Sequence, residues 1–266
     1  MTSEQQVLEN IRREMELLPG HLGFYYKNLV TGLEYGIREN EAFLAASVIK
    51  LPLYLHVLQR SVEGMLDMQQ KLTVEDWEKM PSCGGLNQFT GPVAADIRTL
   101  CRLMIVLSDN TATNKLLRLC GLDACNAAFR EMGLYKTVVR RLLFDSEAAS
   151  RGLENTICPK EMGLLLERLY QKEFVSEAVC REAVETLLKQ QIDHKLDGKL
   201  CGRVPIAHKT GEDGNLSNDV GIVFAAQPFV ICFAGHNTQV YPWEDLMRRA
   251  TYDLVQAQEA GEAFVD

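Results

Sequence analysis

Apolar residues recur at helical spacing at Val7, Ile11, Met15 and Leu18, which predicts an amphipathic helix from Ser3 to about Leu18, packed on a sheet. Two extended runs follow, His21 to Asn28 and Leu33 to Arg38, joined through a turn around Thr31-Gly32. From about Phe43 to Asp197 the pattern is helical. Within it, Ser47 to Leu58 is apolar on all sides, as suits a helix buried in the middle of a domain. Asp96 to Leu107 repeats its apolar residues as a core-facing helix does. Strands are expected again near 203–210, 218–226 and 228–236, the first leading into the turn-rich Glu212-Asp-Gly-Asn215. A closing helix spans about Trp243 to Ala260. No repeat, low-complexity tract or flexible linker interrupts the chain.

Composition narrows this picture. The chain has 266 residues, 47% hydrophobic and 24% charged, enough apolar material for the sizeable core of a globular enzyme of one large domain or two interleaved ones. A formal net charge of −8, with no basic run longer than Arg-Arg, argues against a nucleic-acid partner. Local clusters of Lys and Arg can still attract a small anionic substrate. The eight cysteines are scattered without a C-x-x-C pair, so no metal or other cofactor is expected, and several sit in apolar runs where a free thiol acts as a small hydrophobe. That density of free thiols points to a reducing compartment. With no signal-peptide core and no membrane-length apolar stretch, the chain as written reads as cytoplasmic and without a membrane partner, exported only if a signal sequence was removed; a monomer is expected.

Three short segments carry candidate chemistry. In Ser47-Val-Ile-Lys50, residues i and i+3 share a helix face. A serine at a helix start sits among unpaired N–H groups that favour developing negative charge, and a lysine one turn further in loses basicity through burial and can take the serine proton. Pro52, near the first turn, costs little there. In Ser108-Asp109-Asn110 a hydroxyl can relay a proton, and an Asn amide can donate and accept toward a substrate amide. In Lys209-Thr210-Gly211 a strand-edge lysine offers positive charge to a carboxylate, Thr210 adds a hydroxyl, and Gly211 permits close backbone approach. Taken singly, each has a plainer reading: Ser47 a helix cap, Lys50 a surface lysine, Ser108 or Asp109 the cap of a helix starting near Thr111, and Lys209 an ordinary strand-edge residue.

The ordered set is far more specific, with separations of 61 (47 to 108) and 101 (108 to 209) residues. It resembles the signature of class A β-lactamases and penicillin-binding proteins, and the likeness extends over nearly all of the chain, including Leu107-Ser-Asp-Asn-Thr-Ala-Thr-Asn114. The resemblance implies an α+β fold: a five-stranded antiparallel sheet flanked by terminal helices, formed by 1–42 and 198–266, with an inserted all-helical domain at 43–197 and the site in the cleft between them. It implies Ser47 as acylated nucleophile, Lys50 as its base and Ser108 as proton shuttle. Asn110 would bind the substrate amide and Lys209 with Thr210 its carboxylate, while the backbone N–H groups of Ser47 and Glu212, next to Gly211, would form an oxyanion hole.

One departure bears on function. Hydrolytic members carry a Glu-Pro-x-Leu-Asn type loop whose Glu activates the deacylating water. The matching region here, Arg140 to Pro159, has leucine at that place when aligned on either arginine. Asp145, Glu147 and Glu154 are the substitutes available, each also readable as a solvated or ion-paired loop carboxylate. Cys83, in Pro81-Ser-Cys-Gly-Gly85, falls where the family has a loop at the cleft mouth. The expected function is a serine acyl hydrolase of the class A type, opening β-lactams through an acyl-enzyme on Ser47. One alternative is a D-Ala-D-Ala peptidase or small ester or amide hydrolase that deacylates β-lactams poorly, and another a non-enzymatic penicillin-binding sensor.

Overall fold

The computed structural model of the protein describes residues 2–262. Its centre is a five-stranded antiparallel sheet in the order β2-β1-β9-β8-β7, with β1 at His21–Asn28, β2 at Glu34–Ile37, β7 at Ile206–Asp213, β8 at Leu216–Val223 and β9 at Phe229–His236. The fold is α+β, as the order of predicted elements implies. Helix α1, Ser3–Leu17, opens with a capping box made by Thr2 and Gln5 and buries Leu8, Ile11 and Met15. It lies beside the closing helix α9, Val240–Glu262, over one face of the sheet. That face is lined by Phe24, Tyr26, Ile231 and Phe233, while the alternate residues Tyr25, Val230, Cys232 and Ala234 point into the other, larger core. The period of two thus divides one sheet between two cores.

Between β2 and β7 the chain is helical apart from two short strand pairs, β3 (Phe43–Leu44) with β6 (Thr156–Ile157) and β4 (Lys71–Val74) with β5 (Val93–Asp96). The sequence pattern does not announce them, since two to four residues are too few to establish a period. The helices are α2 (Lys50–Val62), α3 (Ile97–Val106), α4 (Asn110–Cys120), α5 (Leu122–Glu131), α6 (Ser146–Ser150), α7 (Pro159–Tyr170) and α8 (Glu177–Leu187). Every residue of α2 from Lys50 to Leu58 is buried, as its all-round apolar pattern predicts, and Pro52 falls in its first turn.

Several boundaries differ from the sequence expectation: β7 starts at Ile206 rather than near 203, β8 is Leu216–Val223 rather than 218–226, and two more differ for a visible reason. The strand expected near 203–210 runs on through Glu212 and Asp213 and reverses only at Gly214-Asn215, where Gly214 takes φ +51°. The polar Glu-Asp pair belongs to a strand end, and only the glycine supplies the turn. Helix α9 begins at Val240 rather than Trp243, because Pro242 is accepted in a first turn. All eight cysteines are free thiols, and among the described residues no helix is long and apolar enough to cross a membrane.

Candidate active site

Ser47 lies not on α2 but on the 3-10 turn Ala46–Ile49 that leads into it, and the Lys50 backbone N–H donates to the Ser47 carbonyl. Ala46, just before the serine, has φ +41°, and Ser108 has φ +53°. Both are costly conformations for residues with a Cβ, held by the surrounding structure, and they flank the same hydroxyl-bearing region. Three tethers hold the turn. The Asn218 side chain on β8 donates to the carbonyls of Leu44 (2.9 Å) and Ala45 (3.1 Å), and accepts from the Gly235 N–H on β9. The Ala45 N–H donates to the Asn155 carbonyl. Gly211 on β7 passes so close that a Cβ there would lie 3.1 Å from the Ser47 nitrogen and 3.0 Å from the Ala45 oxygen. Only glycine lets the edge strand approach the serine amide this closely.

Lys50 is fully buried and its Nζ meets three oxygens: the Ser108 carbonyl at 2.7 Å, Ser108 Oγ at 3.1 Å and Asn110 Oδ1 at 2.8 Å. Burial, reinforced by the charge of Lys209, holds its pKa well below that of an ordinary lysine. The three oxygens match the three N–H groups of a lysine, and the lowered pKa eases the loss of one of those protons. Lys209, also fully buried, reaches Ser108 Oγ from the other side at 3.1 Å and donates to the Thr210 carbonyl at 2.9 Å. Burial brings its pKa down to about 7, opposed in part by Asp219. The Ser108 hydroxyl therefore stands between two amines of lowered basicity, which is the arrangement a proton relay requires.

Asp109 is wholly buried and works structurally. Its Oδ1 accepts from Ala112 N–H, capping α4, which starts at Asn110, one residue earlier than expected; its Oδ2 accepts from the N–H groups of Gly85 and Leu86 at 2.8 Å each. Gly84, at φ +127°, leaves the space this carboxylate fills. Asn110 gives its oxygen to Lys50 and one N–H to the Pro81 carbonyl at 3.0 Å, and its backbone N–H bonds the Cys83 carbonyl, leaving one amide hydrogen for a ligand. Cys83 is half-buried in this loop.

The loop over 140–155 is closed at its neck by Asn155, whose Oδ1 accepts from the N–H groups of Arg140 and Arg141 and whose Nδ2 donates to the Arg141 carbonyl. On α4, Asn114 brackets one loop residue, accepting from Leu143 N–H at 2.8 Å and donating to Leu143 O at 3.0 Å. A leucine is therefore the residue pinned beside the helix that carries Asn110. The three loop carboxylates have other partners: Asp145 caps α6 by accepting from Ala148 N–H, Glu147 is 85% exposed with Arg151 3.8 Å away, and Glu154 takes Nε and Nη2 of Arg141 at 3.1 and 2.7 Å.

Sequence reasoning missed several groups here. Lys195, fully buried, donates to the carbonyls of Gly211 (3.2 Å) and Asn218 (3.1 Å) and pairs with Glu212 Oε1 at 2.9 Å, adding a cation beneath the end of β7. Asp219 pairs with His208 Nδ1 at 3.0 Å. A signal existed for Asn218 and Asp219: Ser217-Asn-Asp219 is a polar run in a strand buried at all eight positions. Nothing local marks Lys195 or Asn114.

A profile described as the β-lactamase enzyme family matches residues 6–258. Among curated relatives, β-lactamase ROB-1 of Haemophilus influenzae is 26% identical over 73% of this chain, and β-lactamase L2 of Stenotrophomonas maltophilia is 25% identical over 77% of it. The match spans 61% of the length of the former and 69% of the latter. Among solved structures, PBP-A superposes with a TM-score of 0.85 at 28% identity, covering 97% of this chain and 96% of its own. Its leucine-to-glutamate variant, solved as an acyl-enzyme complex with penicillin G, is 27% identical with the same TM-score and coverage.

Proposed function

Since the chain belongs to the β-lactamase enzyme family, we propose that it is a serine acyl hydrolase which a β-lactam, or a D-Ala-D-Ala-like peptide, acylates at Ser47, and which releases the β-lactam acyl group slowly. Ser47 Oγ attacks the carbonyl carbon and its proton passes to neutral Lys50 Nζ. The oxyanion is held by the N–H groups of Ser47 and Glu212, whose chain positions follow from the close approach of Gly211. Collapse breaks the C–N bond, and the proton moves from Lys50 through Ser108 Oγ to the leaving nitrogen. Asn110 offers its remaining amide hydrogen to the substrate amide. Protonated Lys209, with Thr210, takes the carboxylate, whose charge raises the lysine's affinity for its proton.

The observation that carries the acylation step is the buried chain Lys50–Ser108–Lys209, three groups joined by hydrogen bonds of 3.1 Å on both sides of one hydroxyl. Slow release is supported by the engagement of Asp145, Glu147 and Glu154 away from that chain, with Leu143 held against α4 instead. Efficient β-lactam turnover is the second reading, favoured by the curated β-lactamases among the relatives; it requires one of those carboxylates to leave its partner.

An intact-mass time course with penicillin G, on the protein and on Ser47→Ala with opened β-lactam assayed in the same samples, tests this. A persistent adduct that Ser47→Ala lacks is expected. A transient adduct with steadily accumulating product moves the assignment to a β-lactamase, and an adduct formed equally fast on Ser47→Ala overturns the nucleophile.

A further inference from the structure

A second constellation of reactive side chains lies elsewhere in the helical part of the chain. His56 sits mid-way along α2, six residues past Lys50 and thus on a different face of that helix. Cys120 ends α4, and Cys125 stands in the first turns of α5. Gly121, at φ +82°, makes the sharp turn between them that brings both thiols toward α2. All three residues are buried, His56 and Cys120 to 7% exposure and Cys125 completely, and one His56 nitrogen and the two sulfurs lie within 4.8 Å of one another.

Neither ring nitrogen of His56 has a hydrogen-bond partner among the described residues. An imidazole buried in an apolar helix needs partners for its nitrogens, and the groups that face it here are two thiols, weak hydrogen-bond partners of which Cys120 is turned toward the ring. We propose that His56, Cys120 and Cys125 form a binding site for a thiophilic divalent cation of the zinc class, clamping α2 to the α4–α5 junction. One nitrogen and two sulfurs form a donor set that such ions prefer. Bond lengths near 2.0 Å to nitrogen and 2.3 Å to sulfur place tetrahedral ligands about 3.5–3.8 Å apart, so side-chain rotations on the order of 1 Å close the site. The cation displaces two thiol protons, and two thiolates with a neutral imidazole balance its charge, so no net charge is buried. Three protein ligands leave a fourth tetrahedral position, which a water bound with the ion would take. The ligands are 64 and 69 residues from His56 (56 to 120 and 56 to 125), and the Cys-x4-Cys spacing is not a familiar metal motif, which is why the sequence alone predicts no metal here.

The test uses the full chain, kept reduced and stripped with a chelator, then loaded with zinc alone or cobalt(II) alone and desalted. One equivalent of retained zinc is expected, together with a thiolate-to-cobalt charge-transfer band and a higher Tm. Cys120→Ser and Cys125→Ser each lose the equivalent, whereas His194→Ala, at the separate His194–Glu212–Glu244 group, and Cys83→Ser keep it. Penicillin labelling of the two serine variants confirms that they fold. Should either fail to, the cobalt spectrum of the unaltered chain decides. Absence of the charge-transfer band, or zinc retained in full by a folded Cys120→Ser variant, overturns the proposal.

Discussion

Lys50 and Lys209 end on opposite sides of the Ser108 hydroxyl, and the proposed chemistry asks opposite things of them. Lys50 must be neutral to take a proton, and burial beside Lys209 shifts its pKa down in that direction. Lys209 must be charged to hold a carboxylate, yet its own pKa comes down to about 7. For both amines the protonated form is lost as pH rises, which activates Lys50 and disarms Lys209. The rate of Ser47 acylation by a penicillin should therefore rise with pH on the acid side and fall above about 7, the two limbs belonging to the coupled pair. A β-lactam lacking the carboxylate should not show the alkaline limb. Lys209→Met should also remove it and slow penicillin acylation about 10- to 100-fold, the loss of one hydrogen bond to a charged group at about 1.5–3 kcal/mol. Stopped-flow acylation across pH 5–9 reads both. The motif residues were legible because each motif is local, two of them contiguous and Ser47 and Lys50 three positions apart. Lys195 was not, and the roles of Asn218 and Asn114 were not, because the partners of all three are brought to them only by strand pairing and helix packing.

At the next scale, Asp109 joins elements rather than contacting substrate. One carboxylate caps α4 and fastens the Gly85–Leu86 turn, while its neighbours Ser108 and Asn110 reach Lys50. Asp109→Ala should cost about 1 kcal/mol for the cap and about 1–3 kcal/mol for the buried Leu86 N–H left unpaired. At about 2–4 °C per kcal/mol the Tm should fall by roughly 4–16 °C. Acylation should slow as well, because the Pro81 and Cys83 carbonyls that orient Asn110 lie in the same loop. Thermal unfolding and penicillin labelling on the same preparation check this. Long elements were read correctly from their periods: α1, β1 and the Asp96-capped α3 fall where expected. The pairs β3–β6 and β4–β5 were hidden because their few residues match any pattern, and the end of β7 because Glu212 and Asp213 resemble turn residues while lying in register with Ser217 and Leu216.

For the molecule as a whole, the proposed balance between acylation and release rests on where a single loop is pinned. Asn114 brackets the backbone of Leu143, so the backbone of a glutamate placed there would keep the same two hydrogen bonds, beside the helix that carries Asn110. Leu143→Glu should shorten the lifetime of the penicillin adduct at least about tenfold, the equivalent of 1.4 kcal/mol in the barrier, with the acylation rate little changed. Intact-mass decay after removal of free penicillin measures it. On the far side of the sheet, α1 and α9 run alongside each other, with Ser3 Oγ donating to the Ala257 carbonyl and Glu14 paired to Arg249 at 2.6 Å. The two ends of the described chain are thereby neighbours, on the face of the sheet away from Ser47. Joined by a short linker, the ends of the described chain could be traded for new ends at an exposed turn such as the one around Gly32, giving a circular permutant in which the packing around Ser47 is untouched by the new order of its segments.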